Sequence, residues 1–317
     1  MSKSLSKSRR AVGNTQQVSA GARRLIRASV SDNTLRSYRS ALKAVDAFAA
    51  AAGKPLTDAL LTEFLTARHE AGVAPATLRM AVAAVSFRAR HSNAASPVGK
   101  LSTHALAGAV RKGRGRGRGQ VVGVQFAQAD AAAAQAGNGD GGKSVSGARD
   151  AAMLLVASDG LLRVSEVSEL TVGDFDAGDG DGGTVTIRFG KTDQSGAGKV
   201  QFIRKRTVTA VQRWLSVAGI DSGPLFRPVD KWGCVGKRAM SPRSVRAVIK
   251  SRAEAAGVDG RVSGHSMRVG AAQSLVRAGA GLAELMQAGR WSSPSTAALY
   301  TAKEAASHGV VARLRPA

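Results

Sequence analysis

The chain has 317 residues, and its 46 Lys and Arg against 22 Asp and Glu give a formal net charge of +24 at pH 7. A chain of this length is expected to form about two domains, and so basic a chain is expected to bind a polyanion. The single cysteine, Cys234, excludes a disulfide framework. No apolar run reaches the roughly 20 residues of a membrane span, and no apolar segment follows the basic N-terminus as in a signal peptide, so we expect a cytoplasmic protein.

The charge is unevenly distributed along the chain. Residues 1–120 carry 21 Lys and Arg and 5 Asp and Glu, whereas residues 121–190 carry 4 and 10. Residues 191–317 return to 21 and 7. Two basic regions therefore flank an acidic one, which predicts two lobes that grip one polyanion.

The first part of the chain is predicted to be a basic tail followed by a helical domain. Residues 1–31 contain no acidic residue and little periodicity, which is typical of a flexible tail that attracts phosphate. Apolar residues then recur at helical spacing over Asn33–Ala51 and Leu56–Glu70, and Pro75 opens a third helix that extends to Arg90. We expect about four helices in residues 32–110.

Residues 111–122 are predicted to be a linker, because glycine alternates with arginine in RKGRGRGRGQ. Glycine prevents regular structure, while Arg114, Arg116 and Arg118 can bind phosphate. An RNA-binding arginine and glycine tract is the alternative. The single short copy between two periodic regions favours a linker that follows DNA.

The second domain, residues 123–317, is predicted to mix helices with a small hairpin. Apolar helices are predicted at Ala148–Ser158 and Ser165–Leu170, and strands at Thr184–Phe189 and Lys199–Ile203. The tip between the strands, GKTDQSGAG, carries Lys191. The carboxylate run from Asp174 to Asp181 lacks the ligand spacing of a calcium loop, so we interpret it as a solvated turn. Helices are expected again at Thr209–Ala218 and, with a strongly basic face, after Ser241.

The last stretch, from Gly264 to Thr301, concentrates chemically useful side chains. His265 and Arg268 are one helical turn apart, in a helix that should end at Gly279. A short helix is predicted at Gly281–Ala288, and Ser293 with Pro294 should begin a third helix that carries Tyr300. Glycine stops fold the stretch back on itself, so these side chains and Trp291 are expected to converge.

These groups suit attack of a phenol on a phosphodiester. A guanidinium can hold two non-bridging oxygens as they gain charge, and a phenol with a pKa near 10 needs a cationic site and a proton acceptor. Arg268 and His265 are candidates for those two roles. The chain has only two tyrosines, Tyr38 and Tyr300, and the second lies in this stretch.

The order of these residues resembles the active-site series of the tyrosine recombinases, the phage integrase family. The series is Arg163 with Glu166, Lys191 on a hairpin, His265-x-x-Arg268, Trp291 and Tyr300. The likeness covers about Asn33 to Leu314, is densest in GHSMRVGAA and ELMQAGRW, and is greatest to the Cre-like branch. The six positions other than Glu166 are specific in this order, although the pairing of a histidine with an arginine alone would be weak.

The resemblance implies a role for each residue. Tyr300 would attack the scissile phosphate to give a 3′-phosphotyrosyl link, while Arg163 and Arg268 would clamp the phosphate. Lys191 would protonate the leaving 5′ oxygen and His265 would help to take the phenol proton. Trp291 would donate its indole N–H or serve only in packing, and Glu166 would orient a cationic neighbour. Lys199 is the alternative general acid, and Arg163 could instead pair with Glu166 or Glu169 on a helix surface.

The resemblance also implies the fold and the partners. The expected fold is mainly α with a small antiparallel β-hairpin or sheet: an all-helical core-binding domain and a mixed α+β catalytic domain that form a C-shaped clamp on DNA. Double-stranded DNA target sites, a homotetramer on two duplexes and a monomer without DNA are expected, with no cofactor, metal or membrane. The terminal segment, Lys303 to Leu314, would dock onto the neighbouring subunit. We expect a nucleoid-associated location.

Further arginines are predicted to contact DNA, mostly at phosphates that carry no sequence information. They are Arg36, Arg79 and Arg88 in the first domain and Arg243 and Arg246 on the basic helix, besides the linker arginines. A site-specific recombinase is the function favoured by the sequence. A telomere resolvase, a type IB topoisomerase and a non-catalytic DNA-binding protein are the alternatives.

Overall fold

The computed structural model describes residues 29–92, 94–115, 117, 119–188 and 198–308, together with positions 19, 21, 24, 25 and 314. The chain divides into two compact units, Met1–Gly119 and Gln120–Ala317. No helix within the described ranges is both long and apolar enough to cross a membrane. The predicted basic tail lies mostly outside these ranges.

The N-terminal unit is all-helical where it is described. Its helices are α1 (Asp32–Ala52), α2 (Asp58–Glu70), α3 (Pro75–Ser92) and α4 (Lys100–Lys112). The Ser31 hydroxyl accepts a hydrogen bond from the Thr34 N–H at 3.3 Å and caps α1. The apolar positions at helical spacing converge on one core, which includes Val45, Leu61, Phe64, Leu65, Leu78 and Val85. The first three helices begin and end within about two residues of their predicted bounds, because the periodicity and the caps agree.

Helix α4 overlaps the first two residues of the predicted linker, residues 111–122. Helix α4 continues through Lys112, where the N–H of Gly113 still bonds to the Ala109 carbonyl at 2.8 Å. Two cationic side chains in the last turn of α4 are favourable there because they complement the helix dipole. At the other end of the segment, the N–H of Val122 bonds to the Arg261 carbonyl at 3.1 Å. Arg116 and Arg118 are outside the described residues.

The C-terminal unit surrounds one buried helix. Its elements are α5 (Phe126–Gly137), α6 (Val145–Asp159), α7 (Val164–Glu169), β1 (Phe175–Asp176), β2 (Gly182–Ile187), β3 (Lys199–Arg204), α8 (Lys205–Ala218), α9 (Pro242–Ala255), α10 (Ser266–Arg277), α11 (Leu282–Gly289) and α12 (Pro294–Ser307). Helix α6 is buried along nearly its whole length, from Gly147 to Ser158. Its segment AAMLLVAS is apolar on every side, so it packs against α5, α8 and α10 at once. The mainly helical fold with a small antiparallel sheet is confirmed.

The sheet has three antiparallel strands in the order β1, β2, β3. In the register, Thr184 of β2 lies between Asp176 of β1 and Phe202 of β3. The interpretation of the carboxylate run as a solvated turn was wrong at its start, because Asp174 is buried. Although burial raises it, hydrogen bonds from Thr171 and Arg188 hold the pKa of this carboxyl below its ordinary value. The buried carboxylate closes the turn that leads into β1.

Candidate active site

Helix α10 places the histidine and arginine of the last stretch next to each other. His265 is the residue immediately before α10, and its N–H donates to the Ser263 hydroxyl at 3.2 Å. Arg268 follows in the first turn of the helix. The helix ends at Arg277, and Gly279 adopts a φ of +92°, as the sequence predicted.

A glycine in α10 allows this helix to lie directly against the backbone at Val124, near the start of the C-terminal unit. The N–H of Val124 bonds to the Ser266 carbonyl at 2.8 Å. A Cβ on Gly270 would overlap the backbone of Val124. Only glycine permits this approach, which fixes the position of the turn that carries His265.

Arg268 is almost completely buried, with 1% of its surface exposed. Its two terminal nitrogens donate to the carbonyls of Leu161 and Gly289. The guanidinium carbon lies 4.7 Å from the ring centroid of Trp291, a cation–π contact. A buried guanidinium held by neutral carbonyls keeps its positive charge without an adjacent counter-ion.

Tyr300 and Trp291 stack on each other beside this arginine. Their ring centroids are 5.5 Å apart and the ring planes differ by 28°. Trp291 is 7% exposed, whereas Tyr300 is half-buried and packs against the same small cluster as Leu161 and Leu285. The phenol is therefore next to a cation and still accessible from solvent.

A single buried carboxylate joins two further arginines at the site. Glu166, 4% exposed, accepts from the Arg163 N–H and from the Arg290 guanidinium, each at 2.8 Å. The Arg163 guanidinium donates to its other oxygen at 2.5 Å. Arg163 keeps a fifth of its side chain exposed, at 21%. Of the arginines in this cluster, it is the one that presents charge to solvent.

Arg290 belongs to the cluster although the sequence reasoning assigned it no role. Its side chain is 8% exposed and donates to the Gly160 carbonyl at 2.8 Å and to the Leu161 carbonyl at 3.3 Å. Its backbone has a φ of +51°, a left-handed conformation that non-glycine residues rarely adopt. Its position directly after Gly289 and before Trp291 was the one available signal, because a helix end often requires a left-handed residue.

The cluster carries more positive than negative charge, and this shifts the titration of its members. Burial, followed by the charges of Arg163 and Arg290, lowers the pKa of Arg268 to about 9. The guanidinium therefore remains cationic at neutral pH. Partial burial and then the charges of Arg268, Arg163 and Arg246 lower the pKa of the exposed His265. An anion bound among these groups would relieve the repulsion.

Helix α12, which carries Tyr300, is fixed to the same unit by an ion pair. The Arg277 guanidinium of α10 donates to the Glu304 carboxylate at 2.6 Å, and Glu304 is 12% exposed on its side chain. The Gln120 side-chain amide also donates to the Tyr300 carbonyl at 3.2 Å. Ser293 precedes α12 as predicted, but its hydroxyl bonds to the Ser295 hydroxyl at 2.6 Å instead of capping the helix. The tyrosine thus reaches the arginines of its own chain.

Two of the predicted catalytic groups are not brought into this cluster by the described contacts. Lys191 lies outside the described residues. Lys199, its alternative, is exposed at the start of β3, where it pairs with Ile187. Both remain predictions.

The predicted DNA-contacting arginines lie mostly at the surface. Arg36, Arg79, Arg114, Arg243 and Arg246 are exposed. Arg88 instead forms an ion pair with Asp46 at 2.7 Å, so part of its charge is already compensated. On the basic helix, α9, Arg252 donates to the buried Asp150 at 2.8 Å and joins α9 to α6. The terminal segment predicted at Lys303 to Leu314 continues α12 only to Ser307, and most of the rest lies outside the described ranges.

The site lies in a region that matches a known family. The model of the phage integrase family matches residues 131–307, which include every predicted catalytic position. The chain belongs to the phage integrase family, and its curated relatives are named as tyrosine recombinases and integrases.

Two curated relatives illustrate the extent of the similarity. The chain is 33% identical over 182 residues to the recombinase Cre of Escherichia phage P1, a match that covers 52% of each chain. It is 29% identical over 142 residues to an integrase/recombinase XerD homolog of Selenomonas ruminantium, covering 43% of this chain and 41% of the relative. The chain spans about half the length of the curated relatives it matches.

Solved structures extend the similarity of fold to both units. The Tn1549 transposon integrase in complex with transposon right end DNA has a TM-score of 0.59 at 16% identity, over 92% of this chain and 97% of the integrase. The site-specific recombinase XerH, bound to a palindromic difH substrate, has a TM-score of 0.58 at 18% identity, over 79% and 72%. At these identities the likeness concerns the fold.

Proposed function

We propose that the protein is a site-specific DNA recombinase that breaks and rejoins duplex DNA through a phosphotyrosyl link at Tyr300. The observation that supports this function best is the stacking of Tyr300 on Trp291, directly beside the buried charge of Arg268. Contact between a tyrosine ring and another aromatic ring is ordinary packing and by itself indicates no function. A phenol next to an excess of buried guanidinium charge has the surroundings that a nucleophile toward phosphate requires.

In the cleavage step, the Tyr300 oxygen forms a bond to the scissile phosphorus and the bond from phosphorus to the 5′ oxygen breaks. The phenol proton passes to the neutral imidazole of His265, whose lowered pKa keeps it available as an acceptor. The leaving 5′ oxygen takes a proton from Lys191, or from Lys199 if that lysine is the acid. The phosphate charge is offset by the partly exposed Arg163 and by Arg268, which lies against the Trp291 ring.

Rejoining reverses these steps with a 5′ hydroxyl from the partner strand as nucleophile. The energy of the broken bond is kept in the phosphotyrosine, so the exchange requires neither ATP nor a metal ion. In the proposed reaction, two rounds of strand exchange pass through a Holliday junction. They take place within a homotetramer that holds two duplexes. The ion pair between Arg277 and Glu304 supports cleavage in cis, with each subunit cutting the DNA at its own cluster.

Glu166 and Arg290 complete the site as positioning residues. Glu166 holds the guanidiniums of Arg163 and Arg290 through separate oxygens. Arg290 in turn holds the carbonyls of the turn that leads to Arg163. The carboxylate thereby sets the place of Arg163 while leaving the cluster cationic.

A nicked substrate tests the proposal, because a nick next to the cleavage point releases the 5′ end and traps the covalent intermediate. A library of nicked, mixed-sequence duplexes should give a protein–DNA adduct that survives denaturation, and mass spectrometry should locate it on Tyr300. Tyr300→Phe should give no adduct. Tyr38→Phe is the matched control, because Tyr38 packs against Phe87 in the other unit and should be dispensable for cleavage.

The products separate the remaining functions. Four-stranded junctions and exchanged strands support recombination, hairpin ends would indicate a telomere resolvase, and relaxation of supercoiled DNA without exchange would indicate a topoisomerase. Binding without any adduct would contradict catalysis. Loss of the adduct on chelation of divalent ions would contradict the metal-free chemistry.

A further inference from the structure

A tight turn between α8 and α9 presents the most exposed large apolar side chain among the described residues of the C-terminal unit. Trp232 is 76% exposed, whereas the other two tryptophans, Trp214 and Trp291, are 0% and 7% exposed. Single exposed apolar residues are common and need no explanation by themselves. What distinguishes Trp232 is the way in which its turn is built and the charge around it.

The turn holds the Trp232 backbone in a fixed place. The Asp230 carboxylate accepts from the N–H groups of Trp232 and Cys234, each at 2.9 Å. The N–H of Asp230 donates to the Cys234 carbonyl at 3.0 Å, and Gly233 supplies a left-handed φ of +87° that closes the loop. The exposed indole is therefore displayed on an ordered turn, which reduces the entropy lost when it binds a partner.

The base of the turn is joined to the proposed active site. The N–H of Gly236 bonds to the Pro228 carbonyl at 2.8 Å. The N–H of Met240 bonds to the Phe226 carbonyl, and the Met240 carbonyl accepts from the Ser168 hydroxyl two residues after Glu166. Trp232 is four residues beyond Pro228, so the Cα atoms of these two residues are at most about 14 Å apart.

The surroundings of the indole are cationic. Residues 228–246 contain five basic side chains and one acidic one, Asp230, whose carboxylate is occupied inside the turn. The Lys231 ammonium lies 4.4 Å from the Trp232 ring centroid and covers one face of the ring. At the other end of the segment, Arg246 is near enough to lower the pKa of His265. Basic side chains, here called the basic strip, thus recur along the sequence from the turn to Arg246, which lies near His265.

We propose that Trp232 is an apolar contact to the DNA duplex that the C-terminal unit holds, with its free face packed against the deoxyribose sugars beside the cleavage site. This inference rests on the proposed function, because it takes the same DNA as the partner. Phosphates attract the lysines and arginines of the basic strip, and sugars offer the apolar surface that an indole requires. The contact is independent of base sequence, so it adds affinity to every duplex.

Quenching of tryptophan fluorescence by acrylamide tests this contact directly, since only one of the three tryptophans is exposed. Free wild-type protein should be strongly quenched, and a mixed-sequence duplex should protect it. Trp232→Phe should lose most of the quenchable emission and respond little to DNA. Polyphosphate serves as a polyanion without sugars, and it should give no protection.

Affinity measured with a labelled duplex provides the second half of the experiment. Trp232→Ala should weaken binding about tenfold with an unchanged dependence on salt, because an indole releases no counter-ions. Lys231→Ala is the matched control, and it should reduce the salt slope by about 0.9.

The outcomes distinguish the contact from the proposed function. Duplex binding and adduct formation without protection of Trp232, unchanged affinity of Trp232→Ala, or equal protection by polyphosphate would each overturn the contact and leave the recombinase proposal intact. A wild-type protein that binds no duplex would overturn both.

Discussion

The two units of the chain differ in what they bury. Among the described residues of the N-terminal unit, the only buried polar side chain is that of Ser102, and the core is otherwise apolar. The C-terminal unit buries Arg149, Asp150, Glu166, Asp174 and Arg268. A buried charge costs free energy unless it is paired, so it is seldom kept for stability alone. The difference indicates that the first unit is built to fold and to present a surface, and the second to hold charge in a fixed arrangement.

Substitution of the most buried cation should have the largest effect on chemistry. Arg268→Lys keeps the charge but loses the planar fork that donates to the Leu161 and Gly289 carbonyls. We expect single-turnover formation of the Tyr300 adduct to fall by about a thousandfold. Arg88→Lys in the N-terminal unit is the control and should change the rate little, because Arg88 forms a partly exposed pair with Asp46. A rate for Arg268→Lys within about tenfold of wild type would contradict the comparison.

Removal of the bridging carboxylate should have the largest effect on stability. Glu166→Gln leaves Arg163 and Arg290 without their shared counter-ion, and we expect the free energy of unfolding to fall by about 3 kcal/mol. Urea unfolding followed by tryptophan fluorescence measures the free energy of unfolding of the C-terminal unit, because Trp214, Trp232 and Trp291 all lie in that unit.

A double-mutant cycle sharpens this measurement. Arg290→Gly removes one of the two uncompensated cations and also relieves the left-handed backbone, which costs a non-glycine residue about 1 kcal/mol. Glu166→Gln should therefore destabilise the Arg290→Gly protein less than it destabilises the wild type. If the two substitutions change the free energy of unfolding additively, the ion pair between Glu166 and Arg290 contributes no coupling energy.

The pH dependence of cleavage should reflect His265. Its pKa lies below the ordinary 6.5, first through partial burial and then through Arg268 and Arg163. The imidazole is therefore neutral above pH 6.5. The rate of cleavage should fall only below that pH, as the pH drops through the lowered pKa of His265. The stability that comes from keeping this group neutral is likewise present above pH 6.5 and lost on acidification.

Rate profiles of wild type and His265→Gln test this directly. The variant should be slower by about a hundredfold and should lose the acidic limb of the profile. A wild-type rate that rises on acidification through this range would show that the charged imidazole is the active form.

The smallest effect is expected in the N-terminal unit, at Asp58. Its carboxylate caps α4 by accepting from the N–H groups of Gly99, Leu101 and Ser102 at 2.9 to 3.0 Å. Hydrogen bonds from the Ser102 side chain and backbone lead in lowering its pKa to about 2, despite an opposing effect of burial. The stabilisation should therefore be complete above pH 3.8 and lost as the pH falls toward 2.

Thermal melting followed by circular dichroism measures this effect with Asp58→Asn. The variant should melt earlier than wild type in the N-terminal unit, while the fluorescence transition of the C-terminal unit and the cleavage rate stay unchanged. A loss of cleavage in a folded Asp58→Asn protein would contradict the division of roles between the units.

Helix α1 was predicted well because it has one apolar face. The pattern of Leu35, Tyr38, Leu42 and Val45 leaves only one way for α1 to pack, and α1 was found where the spacing placed it. Helix α5 was missed, although its run of alanines favours a helix, because alanine gives almost no contrast between faces. Strand β1 was missed as well, since its two residues are too few to show alternation.

The candidate site shows the same limit at the level of side chains. His265, Arg268, Trp291 and Tyr300 could be proposed from the sequence because they lie within one stretch with clear helix stops. Arg290 was not found, because its partners Glu166 and Gly160 are more than a hundred residues away in the sequence. The burial of Arg268 was equally unforeseen, since it depends on the carbonyls of two other segments.

The sequence by itself determined the family, the mainly helical architecture, the excess of positive charge and the types of side chain available for chemistry, because periodicity, composition and spacing are local properties. The tertiary structure alone decided which arginine is exposed and which is buried, that one carboxylate serves two cations, and that one tryptophan contacts both the tyrosine ring and a buried guanidinium. These depend on the close approach of α7, α10, α11 and α12, and packing between distant segments leaves no periodic trace in the sequence.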